Sequence, residues 1–152
     1  MENPFSTPDE MNNPDVCIGE PTEPTNIVIF GAGGDLTKRK LIPALVKMLR
    51  CGLLHHESKV IGVLKGRTKE EWIASLKQGI SDYAKEITVD DTQWQQISSM
   101  FKMIDGDLQY ENTYQDLATA LENLGGNINA MFYCAVPHGC IPQLQRACIK
   151  MD

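Results

Sequence analysis

A chain of 152 residues with 42% hydrophobic and 22% charged side chains has the make-up of one ordinary soluble domain with one core. No apolar run approaches the roughly 18 residues of a membrane span, so no membrane contact is expected. The formal charge of −6 traces to residues 1–25, where Glu2, Asp9, Glu10, Asp15, Glu20 and Glu23 meet no Lys or Arg. The remainder carries as many acids as bases, which leaves no clustered basic excess for nucleic acid.

Residues 1–25 also hold five of the eight prolines and few large apolar side chains. Such a segment buries too little surface to offset its ordering entropy, so a disordered tail is expected, followed by one domain over 26–152. The N-terminus has neither a basic region nor an apolar core, and no secretory signal is expected. Five cysteines, Cys17, Cys51, Cys134, Cys140 and Cys148, are odd in number and form no Cys-x-x-Cys pair. That usage fits reduced thiols in a cytoplasm. Cys134, His138 and Cys140 lie close enough to suggest a metal site, but a buried thiol on a strand followed by loop residues explains them better, and no metal is expected.

The first predicted element is a strand over 26–30, Asn-Ile-Val-Ile-Phe, apolar and β-branched as a strand buried on both faces should be. Gly31, Gly33 and Gly34 follow, allowing a sharp turn and a close approach of backbone amides to an anion. A helix then carries Leu41, Leu45, Met48 and Leu49 on one face. Strand, glycine turn and helix in that order aim a helix N-terminus at a phosphate. The pattern departs from Gly-x-Gly-x-x-Gly at Leu36, and a tight turn with no ligand is the competing reading. Pro43 is costly inside a helix, so Leu36–Lys40 should form a separate turn, with the main helix starting near Leu41. Cys51-Gly52 should end it.

Residues 58–64, Ser-Lys-Val-Ile-Gly-Val-Leu, form the second predicted strand. NAD-binding folds usually place Asp or Glu at its end to accept hydrogen bonds from the ribose 2′-OH. This chain has Lys65-Gly66-Arg67. Two cations there would attract a 2′-phosphate, which points to NADP; a solvated basic turn is the plainer alternative. Thr68 and Glu71 have capping-box spacing ahead of a helix striped by Trp72, Leu76, Ile80 and Tyr83. A second helix is expected near 91–103, with Trp94, Ile97, Phe101 and Ile104 aligned. A third, near 112–124, aligns Tyr114, Leu117, Leu121 and Leu124. Asp105-Gly-Asp107 reads as a turn between them, with room for a short strand. After Gly125-Gly126, residues 130–136 are the last strand and a candidate for the centre of the sheet. The whole reads as an α/β, Rossmann-like three-layer fold with a mostly parallel sheet.

The segment Gly31-Ala-Gly-Gly-Asp-Leu-Thr-Lys-Arg-Lys-Leu-Ile-Pro43 closely resembles the coenzyme fingerprint of the glucose-6-phosphate dehydrogenases, Gly-Ala-Ser-Gly-Asp-Leu-Ala-Lys-Lys/Arg-Lys-x-x-Pro. Gly33 and Thr37 replace small residues by small ones. The resemblance implies coenzyme contacts from Gly31, Ala32, Gly33, Gly34, Asp35 and Leu36, and a substrate contact from Lys40. Lys65 stands where the family has Arg, which exchanges a bidentate fork for a point charge and shares the task with Arg67. Ala135, Val136 and Pro137 are similar to the family strand that ends beside the coenzyme, with His138 replacing a second proline. His138 has no carboxylate nearby in sequence, and the family's general base lies elsewhere.

The resemblance covers about residues 26–150, the NADP-binding domain of a longer enzyme that oxidises glucose 6-phosphate to 6-phosphogluconolactone in the pentose phosphate pathway. The family's Glu-Lys-Pro and Arg-Ile-Asp-His-Tyr-Leu-Gly-Lys segments are absent. Hydride transfer needs a base for the sugar hydroxyl proton. No catalytic residue is assignable, so the chain is expected to bind NADP without turnover, with a separate chain supplying the catalytic half as one partner arrangement. A free-standing NADP-binding regulatory module is the alternative; an exposed apolar face would favour the first reading and a closed polar surface the second. A short-chain reductase lacks its Tyr-x-x-x-Lys pair, and a P-loop kinase its Gly-Lys-Ser/Thr.

Overall fold

In the computed structural model, Glu20, residues 23–125, residues 128–136 and Pro142 are described. The expected disordered tail lies outside them except for Glu20 and 23–25. Among them, β1 (Thr25–Phe30) is an interior strand: Val28, Ile29 and Phe30 are almost fully buried. β2 (Val60–Leu64), β3 (Phe101–Asp105) and β4 (Asn129–Cys134) complete a four-stranded sheet in the order β3-β2-β1-β4. Every pairing is parallel, in registers such as Ile27 with Val60, Val28 with Phe132 and Gly62 with Met103. The Rossmann-like α/β expectation is borne out.

The helices are α1 (Ile42–Arg50), α2 (Lys69–Tyr83), α3 (Asp91–Ser99) and α4 (Glu111–Asn123). Side chains alternate across a strand, so β1 sends Ile27 and Ile29 into one core with Ile42, Val46, Trp72, Leu76 and Ile97. Val28 and Phe30 enter a second core with Ile61, Val63, Tyr114 and Leu117. Helices α1–α3 therefore cover one face and α4 the other. No helix among the described residues is long and apolar enough to cross a membrane.

The proline expectation holds in part. The chain is helical without a break from Asp35, but Thr37–Leu41 is a π-helical turn leading directly into α1, with Pro43 in the first turn. The Ile42 amide donates to the Thr37 carbonyl, five residues back. A π turn shifts the hydrogen-bond ladder ahead of a residue that has no N–H to add. Cys51 caps α1, and Gly52 adopts the positive φ of a helix end.

Two expectations are overturned. The helix near 91–103 stops at Ser99; Phe101 and Ile104 lie on β3, where pairing with β2 outweighs a helical stripe that the strand mimics by chance. The strand expected at the centre, β4, is instead an edge strand among those described, with Met131 50%, Phe132 38% and Tyr133 38% exposed. Tyr83, expected in the α2 stripe, is half-exposed, with the Arg39 guanidinium 5.1 Å from its ring centre.

Close packing joins β2 to α2. A Cβ built on Gly62 would lie 2.4 Å from the Trp72 indole and 2.9 Å from the Ala32 Cβ. Gly62→Ala should therefore lower unfolding stability by about 1–3 kcal/mol, the usual cost of overpacking, read as a reduced urea midpoint by circular dichroism.

Candidate functional site

The strand order winds from β1 through β2 to β3, then returns to the other side of β1. The two directions separate at the carboxyl ends of β1 and β4, the place where such sheets bind ligands. The residues there are the glycine turn and Ala135–Val136.

Gly31 has φ +79°, and a Cβ on it would sit 2.3 Å from the Ala135 carbonyl oxygen. No L side chain fits that conformation and that gap together. The turn is tied down from below: the Gly31 and Ala32 amides both donate to the Val63 carbonyl, at 3.2 and 3.3 Å, and the Gly34 amide donates to the Gly31 carbonyl. The Trp72 indole N–H donates to the Ala32 carbonyl at 2.9 Å, and the Thr37 hydroxyl to the Gly31 carbonyl at 3.3 Å. The amides those bonds leave out, on Gly33, Asp35 and Leu36, belong to the mouth of the helix. Leu36, the departure from the glycine motif, is 47% exposed, so no close packing is demanded of it; Thr37 is the residue that packs inward.

A cleft of about 640 Å³ opens at this turn. Ala32, Gly33, Gly34 and Asp35 of the turn line it together with Arg67 and with Glu71, Ser75 and Leu76 of α2. Lys38 of the π turn also lines it. The structure thus brings Arg67 to the glycine turn as the sequence pattern required. It does not bring Lys65 or Lys40 among the residues lining this cleft; Lys40 is exposed on the π turn. Gly31, Ala135 and Val136 meet behind the turn, and Leu36 lies beside it. Pro137, His138 and Cys140 lie outside the described residues. Sequence reasoning read Trp72 only as packing and passed over Lys38, although the helical stripe and the basic triplet held both.

The acids of the site each have a local partner. Asp35 accepts from Arg39 at 3.1 Å, one helical turn on. Glu71 closes the capping box of α2, accepting from the Thr68 amide at 2.9 Å while its own amide donates to the Thr68 hydroxyl. Lys65 donates to Asp107 at 2.6 Å, a partner from the turn after β3 that the sequence did not reveal. That hydrogen bond raises the Lys65 ammonium above its ordinary value, and it holds the Asp107 carboxyl below its own, helped by the Gln109 amide.

The sequence relationships agree with this geometry. Residues 28–150 match the family model described as glucose-6-phosphate dehydrogenase, NAD binding domain. The chain belongs to that family. It is 33% identical over 123 residues to the glucose-6-phosphate 1-dehydrogenase of Buchnera aphidicola subsp. Acyrthosiphon pisum, covering 79% of this chain and 24% of that protein. The corresponding Saccharomyces cerevisiae enzyme is 30% identical over 74% of this chain and 23% of its own length. The chain therefore spans about a quarter of the length of these relatives. A solved structure described as glucose-6-phosphate dehydrogenase in complex with its substrate glucose-6-phosphate superposes with a TM-score of 0.72. That pair is 27% identical over 86% of this chain and 28% of the other. The Mycobacterium avium glucose-6-phosphate 1-dehydrogenase shares the fold at 22% identity, with a TM-score of 0.73 over 86% of this chain and 27% of its own. This glucose-6-phosphate dehydrogenase domain is thus a dinucleotide-binding domain of the NAD(P) class.

The Lys65–Asp107 pair has a measurable signature. Asp107 has a depressed folded value, so any stability it contributes is present above its ordinary value of 3.8 and lost as pH falls through the lower folded value. A carbon-detected NMR titration should give Asp107 a midpoint below 3.8, moving up toward it in Lys65→Met.

Proposed function

We propose that this chain is the coenzyme-binding part of a glucose-6-phosphate dehydrogenase and that its coenzyme is NADP+. The observation that carries the reading is Arg67 lining the same cleft as Gly33, Gly34 and Asp35. Amides at the helix mouth offer donors to a diphosphate. A guanidinium at the end of β2, where NAD-selective folds place a carboxylate, suits a 2′-phosphate and would leave it paired rather than repelled. Bound there, NADP+ supplies a hydride acceptor. The residues of this chain would grip and orient it: the turn at 31–36 on the diphosphate, Arg67 on the adenosine side, and Ala135 and Val136 along its length, with Pro137 added by family resemblance. By family resemblance Lys40 would reach the sugar phosphate.

The catalytic base is assigned to another segment or a separate chain, and the domain alone is inactive. The exposed Met131, Phe132 and Tyr133 support this reading over a self-contained regulatory module, whose surface would be closed and polar. The odd number of cysteines, with no Cys-x-x-Cys pair, favours a cytoplasmic setting.

Calorimetric titration should give tighter binding of NADP+ than of NAD+. Arg67→Ala should weaken NADP+ by about 10- to 100-fold, the worth of a charge-assisted hydrogen bond, and leave NAD+ nearly unchanged. Incubation with glucose 6-phosphate should yield no NADPH. Equal affinity for the two coenzymes would refute the role of Arg67, and turnover would refute the incompleteness.

A further inference from the structure

Two cations follow β2, and they do different things. Arg67 lines the cleft; Lys65, 68% exposed, is turned to Asp107 at 2.6 Å. Gly66 between them has φ +79°, so the backbone changes direction from one cation to the next. Asp107 is well held for a surface acid. It is only 23% exposed, and its other carboxylate oxygen accepts from the Gln109 amide at 3.0 Å. Its own carbonyl accepts from the Thr113 hydroxyl at 2.7 Å, and the neighbouring Gly106 amide donates to the Leu64 carbonyl at 3.0 Å. The last residue of β2 and the acid of the next turn are thereby fixed to one another. The carboxylate is the anchored member of the pair and the lysine the one free to move.

We propose that Asp107 is a specificity-determining positioning residue: by holding the Lys65 ammonium, it withholds a second cation from the 2′-phosphate and sets the preference for NADP+ over NAD+ below what the sequence Lys65-Gly66-Arg67 would give. The inference rests on the coenzyme reading above. A mobile ammonium satisfied by one anion must leave it to serve another, so the phosphate gains only the difference between the two partners. Releasing the lysine turns that difference into a full charge-assisted contact.

The test measures dissociation constants for NADP+ and NAD+ in the full chain, in Asp107→Asn, and in the double variant Asp107→Asn/Lys65→Met. Asparagine keeps an oxygen for the Gln109 amide, and the ratio of the two constants cancels general damage to the fold. Asp107→Asn should raise the preference for NADP+ by about tenfold, a single charge-assisted contact, and adding Lys65→Met should abolish the gain. An unchanged ratio in Asp107→Asn would overturn the proposal. A gain that survives in the double variant would overturn it too, because background charge would then suffice. If the unaltered chain binds neither coenzyme, the coenzyme reading itself fails, which is a separate result.

Discussion

The glycine turn keeps its shape because an indole ring lies beneath it. Trp72 is fully buried, fits against the missing side chain of Gly62 on β2, and gives its N–H to the Ala32 carbonyl. Its ring also meets Phe101 of β3 edge-on, with centroids 5.8 Å apart. One side chain of α2 therefore touches the two strands beyond β1 and the loop that leaves β1. A buried carbonyl without that donor would carry a desolvation penalty of about 1–3 kcal/mol, enough to favour another turn conformation. The proposed role of the turn depends on amide directions, so packing within the core and the proposed anion grip would be the same constraint.

Much of this was legible from residues alone. The strand at 26–30, the turn, the end of α1 at Gly52 and the capping box at Thr68 each carry a local signal whose physics needs no distant partner. The capping box of α3, where Asp90 accepts from the Gln93 amide at 2.7 Å, had the same signature and went unread. What sequence could not give depends on distant pairing. Phe101 and Ile104 fit a helical stripe as well as a strand, and only the parallel partner strand β2 decides between them. Lys65 looked equivalent to Arg67 because its competitor, Asp107, is 42 residues away.

β4 shows the converse. Its apolar residues on both faces correctly signalled a parallel strand, since such strands are enclosed by helices on each side. The inference to a central position failed because enclosure is a property of the sheet's neighbours. Phe132 stacks on Phe30 at 6.0 Å and is still 38% exposed, and Met131 and Tyr133 lie over the opposite face. A strand composed for the interior but bare on two faces exposes apolar surface worth about 25 cal/mol per Å² when covered. That face is where a larger assembly would gain most by closing over this domain.

The charges around the cleft follow a consistent logic. Diphosphate binding requires that acids near the turn not repel the ligand, yet Asp35 and Glu71 both line the cleft. Each is occupied locally, Asp35 by a guanidinium one turn away and Glu71 by the first amide of its own capping box. Among the described residues, the two basic side chains lining the cleft, Lys38 and Arg67, make no ion pair. The cations without ion pairs thus stand at the helix mouth and after the end of β2, while the anions are turned to partners within the protein. Exposed pairs such as Asp35–Arg39 contribute little to stability, with values of about 0–1 kcal/mol. Their effect is to neutralise negative charge beside the glycine turn, which folding alone does not require and which the proposed diphosphate site would need.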